Sequence, residues 1–224
     1  MKRTNLYTFF LLLVTPIAAF TQDCSRSPYL QRNATIEITA YNQKGSVSGR
    51  RVCTVLDVRA DSGTTTADIR IQQFSKRNKP GGVLTGRMKC SGTFFWMDMK
   101  LLLPQLPSSN AQKAKFSGEG FLPYPSEMKA GDTLTGGTLV MSTGKGTAIT
   151  VAVFNRRVAG HDSVTTTAGT WDCERISYKK KLSFKMNPLP EMSTTEDDTD
   201  WFAPGVGVVK TETEDGATAI TSIK

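Results

Sequence analysis

From Thr35 onward, apolar side chains recur at every second position in runs separated by turn residues. Thr35 to Tyr41 sets Ile36, Ile38 and Ala40 against Thr35, Glu37 and Thr39, the period of a strand with one buried face. Arg50 to Arg59 repeats the alternation with Val52, Thr54, Leu56 and Val58 on one face, and Thr65 to Phe74 follows with Ala67, Ile69 and Ile71. Asn42-Gln43-Lys44-Gly45 and Asp61-Ser62-Gly63 are the turns between them. Val83 to Cys90 and Thr93 to Leu102 form the next pair, and Phe94 to Met97 is an apolar knot that reads as core. Leu103 to Gln112 is a loop or a short helix at most. Phe116 to Phe121 is a short strand, and Leu122 to Ser126 an extended segment stiffened by Pro123 and Pro125.

Further on, Gly137 to Ser142 and Gly146 to Val158 make a hairpin about Thr143-Gly144-Lys145. Thr170 to Phe184 is a strand bearing Lys179, Lys180 and Lys181, and Trp201 to Thr213 with Ala217 to Ile223 is the last hairpin. The tally is about twelve short strands and no helix, which predicts an all-β, mostly antiparallel meander. The stretch from Pro104 to Lys129 is where two halves would divide, but one continuous domain over residues 22–224 is expected. Within it, residues about 187–200, with Pro188, Pro190 and the acidic run Glu196-Asp197-Asp198, read as a solvated loop.

The meander is organised around Asn155 to Cys173. This stretch reads as a strand end, a tight turn at Gly160, a short strand, a second turn at Ala168-Gly169 and the start of another strand. Arg156 and Arg157 are adjacent in an alternating strand, so they should point to opposite faces, one partly buried and paired, with Asp162 as the candidate partner. Gly160, Gly169, Gly205 and Gly207 suit special backbone positions. Trp171 and Trp201 are candidate anchors, and the stretch from Trp201 is expected to pack near Asn155 to Cys173.

The first residues change the picture of compartment. Lys2 and Arg3 precede an apolar run from Leu6 to Phe20, then Ala18, Ala19 and Thr21 offer cleavage positions, the layout of a secretory signal peptide over residues 1–21. The run is about 15 residues, short of a membrane span. Cys24 follows, but Asp23 directly before it does not suit a lipoprotein signal, so ordinary cleavage before Gln22 is the expectation. The protein is then exported, to the periplasm, the outer-membrane periphery or the outside. The net charge of +8 falls to +6 once Lys2 and Arg3 are removed. A basic exported protein suits anionic lipid headgroups or glycans; nothing resembles a nucleic-acid-binding module. Cys24, Cys53, Cys90 and Cys173 permit two disulfides with three pairings, or fewer with buried free thiols, and the sequence leaves these open.

Catalytic chemistry finds little footing. The single histidine, His161, stands in a predicted turn beside Asp162 and lacks a nucleophile motif. Glu119, Asp132 and Glu174 are acids that no spacing singles out for glycoside hydrolysis. Glu196 to Asp200 lacks the spacing of a calcium loop. Gly144-Lys145-Gly146-Thr147 lacks that of a phosphate loop. No catalytic, cofactor-binding or metal-binding residues are assigned, and no cofactor is expected.

Three stretches carry a family resemblance: Asn155-Arg156-Arg157-Val158 with Gly160 and Asp162; Thr166 with Ala168-Gly169-Thr170-Trp171-Asp172-Cys173; and Trp201 to Lys210. Tyr41-Asn42 with Lys44-Gly45, and Pro125-Ser126 with Gly131-Asp132, fit as well. Over nearly the whole mature chain this resembles the TapB-like family, secreted bacterial proteins carrying a domain of unknown function. Asp162 stands where that family tends to have Glu, and Trp171 where it tends to have Phe. The resemblance implies an open or spiral β-roll or barrel, and it transfers no activity and no catalytic residue. The expected function is non-enzymatic binding of a lipid, glycan or other cell-envelope component. The alternatives are an accessory module of an envelope or secretion assembly, docking through Trp201 to Lys210, and a carboxylate-dependent hydrolase with two converging acids.

Overall fold

In the computed structural model, which describes residues 24–104, 114–144 and 146–224, the chain forms one antiparallel sheet curled into a half-barrel. The predicted signal peptide, and most of the predicted loop after Leu103, lie outside those residues. The first five strands are β1 (Thr35–Asn42), β2 (Val47–Asp61), β3 (Thr64–Ser75), β4 (Pro80–Ser91) and β5 (Phe94–Asp98). They are followed by β6 (Lys115–Gly118), β7 (Phe121–Pro125), β8 (Thr133–Leu134), β9 (Gly137–Gly144) and β10 (Thr147–Thr166). The last four are β11 (Gly169–Met186), β12 (Met192–Ala203), β13 (Gly207–Thr213) and β14 (Gly216–Ile223). The all-β antiparallel meander read from the alternation is the observed fold, with strands longer than expected: β10 runs 20 residues and β11 18.

The order β6-β9-β10-β11-β12-β13-β14-β1-β2-β3-β4-β5-β7 explains the curl, with β8 pairing β10 off this path. Two runs of consecutive strands join where β14 pairs β1, and Thr35 and Lys224 exchange both backbone hydrogen bonds there at 2.7 and 2.9 Å. The two edge strands, β6 and β7, are neighbours in sequence, linked only by Glu119 and Gly120. A flat sheet would set its edges many strand widths apart, at nearly 5 Å per strand. The short link therefore requires the sheet to bend round until its edges meet. At this seam Gly118 has φ +98°, and a Cβ there would lie 2.4 Å from the Thr138 carbonyl oxygen. Edge β7 carries Pro123 and Pro125, which cannot donate to a further strand.

The core lies inside the curl. Ile36, Val55, Ile69, Ile71, Met88 and Phe202 are all fully enclosed. The Tyr124 and Phe202 rings stack at 4.5 Å, and Phe95 meets Phe202 at 5.9 Å, aromatic contacts that add to the burial of their large areas. Ala67, Ile69 and Ile71 face inward as their alternation predicts.

Strand β2 faces the other way from the face drawn by its apolar residues. Cys53 and Val55 are buried while Leu56 is 49% exposed, with a register shift between Val55 and Asp57. Arg51 therefore shares the inner face with Cys53 and Val55, since side chains two apart lie on one side of a strand.

Three further differences follow from pairing. Gly160 is not a turn: β10 continues through it, with register shifts between Phe154 and Arg157 and again between Val158 and Gly160. Extra residues are absorbed as bulges, with Asn155 at φ +55°. The turn at Thr167-Ala168 is present. Trp201 to Thr213 is not one strand, since the chain turns at Pro204-Gly205-Val206 with Gly205 at φ +77°. The acidic run is not a loop: Met192–Ala203 pairs with β11 along its length.

Cys24 and Cys90 form a disulfide, and Cys53 and Cys173 are buried free thiols. Burial pushes both thiols up to about 12, and at Cys173 the neighbouring Asp172, Asp162 and Glu174 add to the effect. At pH 8 the native protein is expected to leave a thiol reagent unconsumed, and to consume two equivalents once unfolded in denaturant without reductant. Four equivalents would overturn the pairing.

Candidate binding cleft

Strand β12 turns one side of the acidic run inward. Asp198, Asp200 and Phe202 face the core, while Asp197 points out to Lys179 at 2.8 Å. Carboxylates tolerate such burial only when hydrogen-bonded, and Asp200 is fully so. Its Oδ2 accepts from the Tyr124 hydroxyl at 2.9 Å; its Oδ1 accepts from Tyr178 at 3.0 Å and Thr211 at 2.7 Å. Burial raises the Asp200 carboxyl above the ordinary carboxylate range despite these donors and nearby Arg156. Burial, together with Asp200, holds both tyrosines well above theirs, so they stay protonated donors.

Arg156 completes this cluster. The bulge in β10 turns it inward, where it is 1% exposed. Nη1 donates to the carbonyls of Pro123 at 2.8 Å and Thr135 at 2.6 Å, and the guanidinium lies 4.4 Å from the centre of the Tyr124 ring. Arg157 points out and donates to Gly131, so the opposite-face expectation holds. The expected Asp162 partner does not: Asp162 accepts from Arg175 and from the Trp201 indole N–H, both at 3.1 Å. That last contact, with Trp201 opposite Arg175 in the ladder, also places the two motif stretches side by side as expected.

Between β1, β2, β5 and the strands β11 to β14 lies a cavity of about 200 Å³. Tyr29, Met97, Leu101 and Ile220 supply apolar wall, and Lys180 and Asp198 stand on it as a charged pair. Lys180 Nζ lies 2.6 Å from Asp198 Oδ2 and 3.2 Å from Glu196 Oε2. Burial works to lower the Lys180 ammonium, but the two carboxylates outweigh it and leave it raised, so it stays charged. Burial likewise raises Asp198 against the pull of Lys180, and its Oδ1 is enclosed without a hydrogen-bond partner among the described residues. A second cavity of about 190 Å³ adjoins the first, sharing Ile38, Arg51 and Thr218. Larger grooves of about 630 and 590 Å³ exist elsewhere. Their central polar groups are already paired: Asp98 accepts from the Arg87 and Lys100 backbone N–H groups, and Asp162 holds Trp201.

The residues weighed for chemistry do not gather here. His161 is exposed on β10, its Nδ1 3.3 Å from Glu174 across the ladder. Asp132 accepts from the Lys129 backbone N–H in a turn, and Glu119 is exposed on the seam link. Trp201 to Lys210 does not form an edge either, since β12 and β13 are paired on both sides and Trp201 to Ala203 are buried. Among the described residues no group of three or more His, Cys, Asp or Glu could hold a metal ion, and no helix is long and apolar enough to cross a membrane. The inward-facing Asp198 and Asp200, Lys180 beside Asp198, and Arg51 on the cavity wall were missed in the sequence, where the acidic run with Pro188 and Pro190 read as a solvated loop and Arg51 fell opposite the face drawn by Val52, Thr54, Leu56 and Val58.

Comparison with known proteins adds the lineage. The model of the DUF3108-like family matches residues 31–224. The chain belongs to the DUF3108-like family. No curated protein matches it. Two solved structures share the fold. One is an exported protein with YmcC-like fold from Bacteroides fragilis, at TM-score 0.71 and 18% identity, covering 87% of this chain and 96% of that one. The other is a lipoprotein from Parabacteroides distasonis, at TM-score 0.72 and 17% identity with the same coverages. The DUF3108-like chain thus has the open, curled sheet that the TapB-like resemblance implied.

Proposed function

We propose that this protein is an exported, non-enzymatic binding protein of the cell envelope that takes the apolar part of an amphiphilic component into the cavity walled by Tyr29, Met97, Leu101 and Ile220. The cavity carries the reading: it joins an apolar wall to a few charged groups, the make-up of small-molecule sites. Export is supported by the signal-like first residues, by a disulfide of the kind that oxidising compartments sustain, and by the descriptions of the two similar structures as an exported protein and a lipoprotein. The TapB-like kinship belongs to the same reading. A Cys24 sulfur engaged with Cys90 is not available for a lipid thioether, which favours ordinary cleavage.

The hydrolase alternative has two buried acids to draw on, Asp198 and Asp200. Asp200 is 1% exposed with both oxygens occupied by hydroxyl donors. It has no route to a substrate proton, which general acid–base work requires. Binding is the better account.

The test uses a neutral apolar dye, N-phenylnaphthylamine. Its fluorescence is expected to rise on adding the protein. The rise should be lost in Leu102→Trp, which fills the cavity from its partly buried rim, with the thermal midpoint kept within a few degrees. No rise with the wild type, or an equal rise with the filled variant, would overturn the reading.

A further inference from the structure

Arg51 differs from the other cations of this cleft in having no acid beside it among the described residues. Lys180 is neutralised by Asp198 and Glu196, and Lys210 lies 2.6 Å from Glu212 and 4.6 Å from the Trp201 ring centre. Arg50, next in sequence and outward-facing, is held by Glu37 and Asn78 and packs on Phe74. Among the described residues the Arg51 side chain has one hydrogen bond, from Nη2 to the Leu103 carbonyl at 3.1 Å. A guanidinium carries five N–H donors and does not give up its charge in proteins. Its neighbours offer no counter-charge at neutral pH. Burial raises the Tyr29 phenol well above its ordinary value and pushes Cys53 up to about 12, so both stay neutral. Burial also lowers Arg51 itself, the sign of a cation short of solvation. On the strand ladder it lies between Ile38 and Gln73, and it lines both cavities.

Resting on the cleft reading above, we infer that Arg51 is the anchor for the anionic head of the bound amphiphile, a carboxylate or a phosphate, with the apolar body lying along Met97, Leu101 and Ile220. Its planar fork suits either oxyanion in a two-point contact. An arriving anion supplies the counter-charge that this partly buried cation lacks.

The experiment titrates wild type, Arg51→Gln and Arg51→Lys with dodecanoate, dodecyl phosphate and dodecanol, each below its micelle concentration, following intrinsic tryptophan fluorescence. The wild type is expected to bind at least one anion about tenfold or more tighter than the alcohol, the scale of a charge-assisted hydrogen bond. The better anion identifies the head. Arg51→Gln should bring that anion down to the alcohol's affinity and leave the alcohol unchanged. Arg51→Lys should keep a weaker preference and serves as the folded control if the Gln variant does not accumulate. Equal binding of anions and alcohol by the wild type, or a preference that survives in Arg51→Gln, would overturn the anchor while leaving the cleft reading intact. Binding of none of the three would overturn both.

Discussion

Asp200→Ala is expected to lower the unfolding free energy by about 4 kcal/mol, the scale of removing one partner from a buried charged cluster. Three hydroxyls, those of Tyr124, Tyr178 and Thr211, lose their acceptor at once, and Arg156 loses the nearby negative charge. These groups come from β7, β11, β13 and β10, so the one carboxylate on β12 ties five strands together. Asp200→Asn keeps the shape and one acceptor oxygen, and should cost about 1–2 kcal/mol. Urea unfolding of the two variants checks the ranking; an alanine variant as stable as wild type would sink it.

The same group gives a pH dependence of definite sign. Burial raises the folded-state values of Asp98, Asp198 and Asp200 above the ordinary carboxyl value. A raised folded value means that the native state binds the proton more readily than the unfolded chain. Stability from these groups is therefore greatest at low pH and falls as pH rises from about 4 through the folded-state values. The urea midpoint should be higher at pH 5 than at pH 7, and Asp200→Asn should flatten part of that slope. A midpoint that drops on acidification over this range would contradict the assignment.

The second large effect concerns Cys24–Cys90, whose sulfurs join positions 66 residues apart. Closing a loop of that length restricts the unfolded chain by about 4 kcal/mol in the chain-entropy account. Cys90→Ser, paired with Cys24→Ser to leave no odd thiol, should lose stability on that scale. The bond pins the segment holding Tyr29, a wall of the cleft, to β4. The double variant should therefore also bind the neutral dye more weakly than its loss of folded protein accounts for. Unchanged stability after removal would show that the bond does not constrain the chain.

Much of the architecture was legible. The period-2 alternation and the turn residues placed most strands, and the stretch from Trp201 lies beside Asn155 to Cys173 as expected, its indole donating to Asp162. The cleft was not legible. Glu196 to Asp200 looked solvated because an acidic run following Pro188 and Pro190 reads as a loop, yet Lys180, Tyr178 and Thr211 on the neighbouring strands supply the hydrogen bonds that burial requires. Arg51 looked outward because Val52 and Leu56 suggested the opposite inner face.

The sequence by itself determined the class of fold, the alternation of most strands and the signal-like start, because each depends on residues near one another along the chain. The tertiary structure decided the rest. Linking edge strands β6 and β7 through Glu119 and Gly120 forces the sheet to curl. The bulges in β2 and β10 choose which face of each strand turns inward, and pairing across that curl brings Asp200, Arg156 and Tyr124 together from distant strands. A strand's period states that two faces differ; only its neighbours in the sheet settle which of them is the inside.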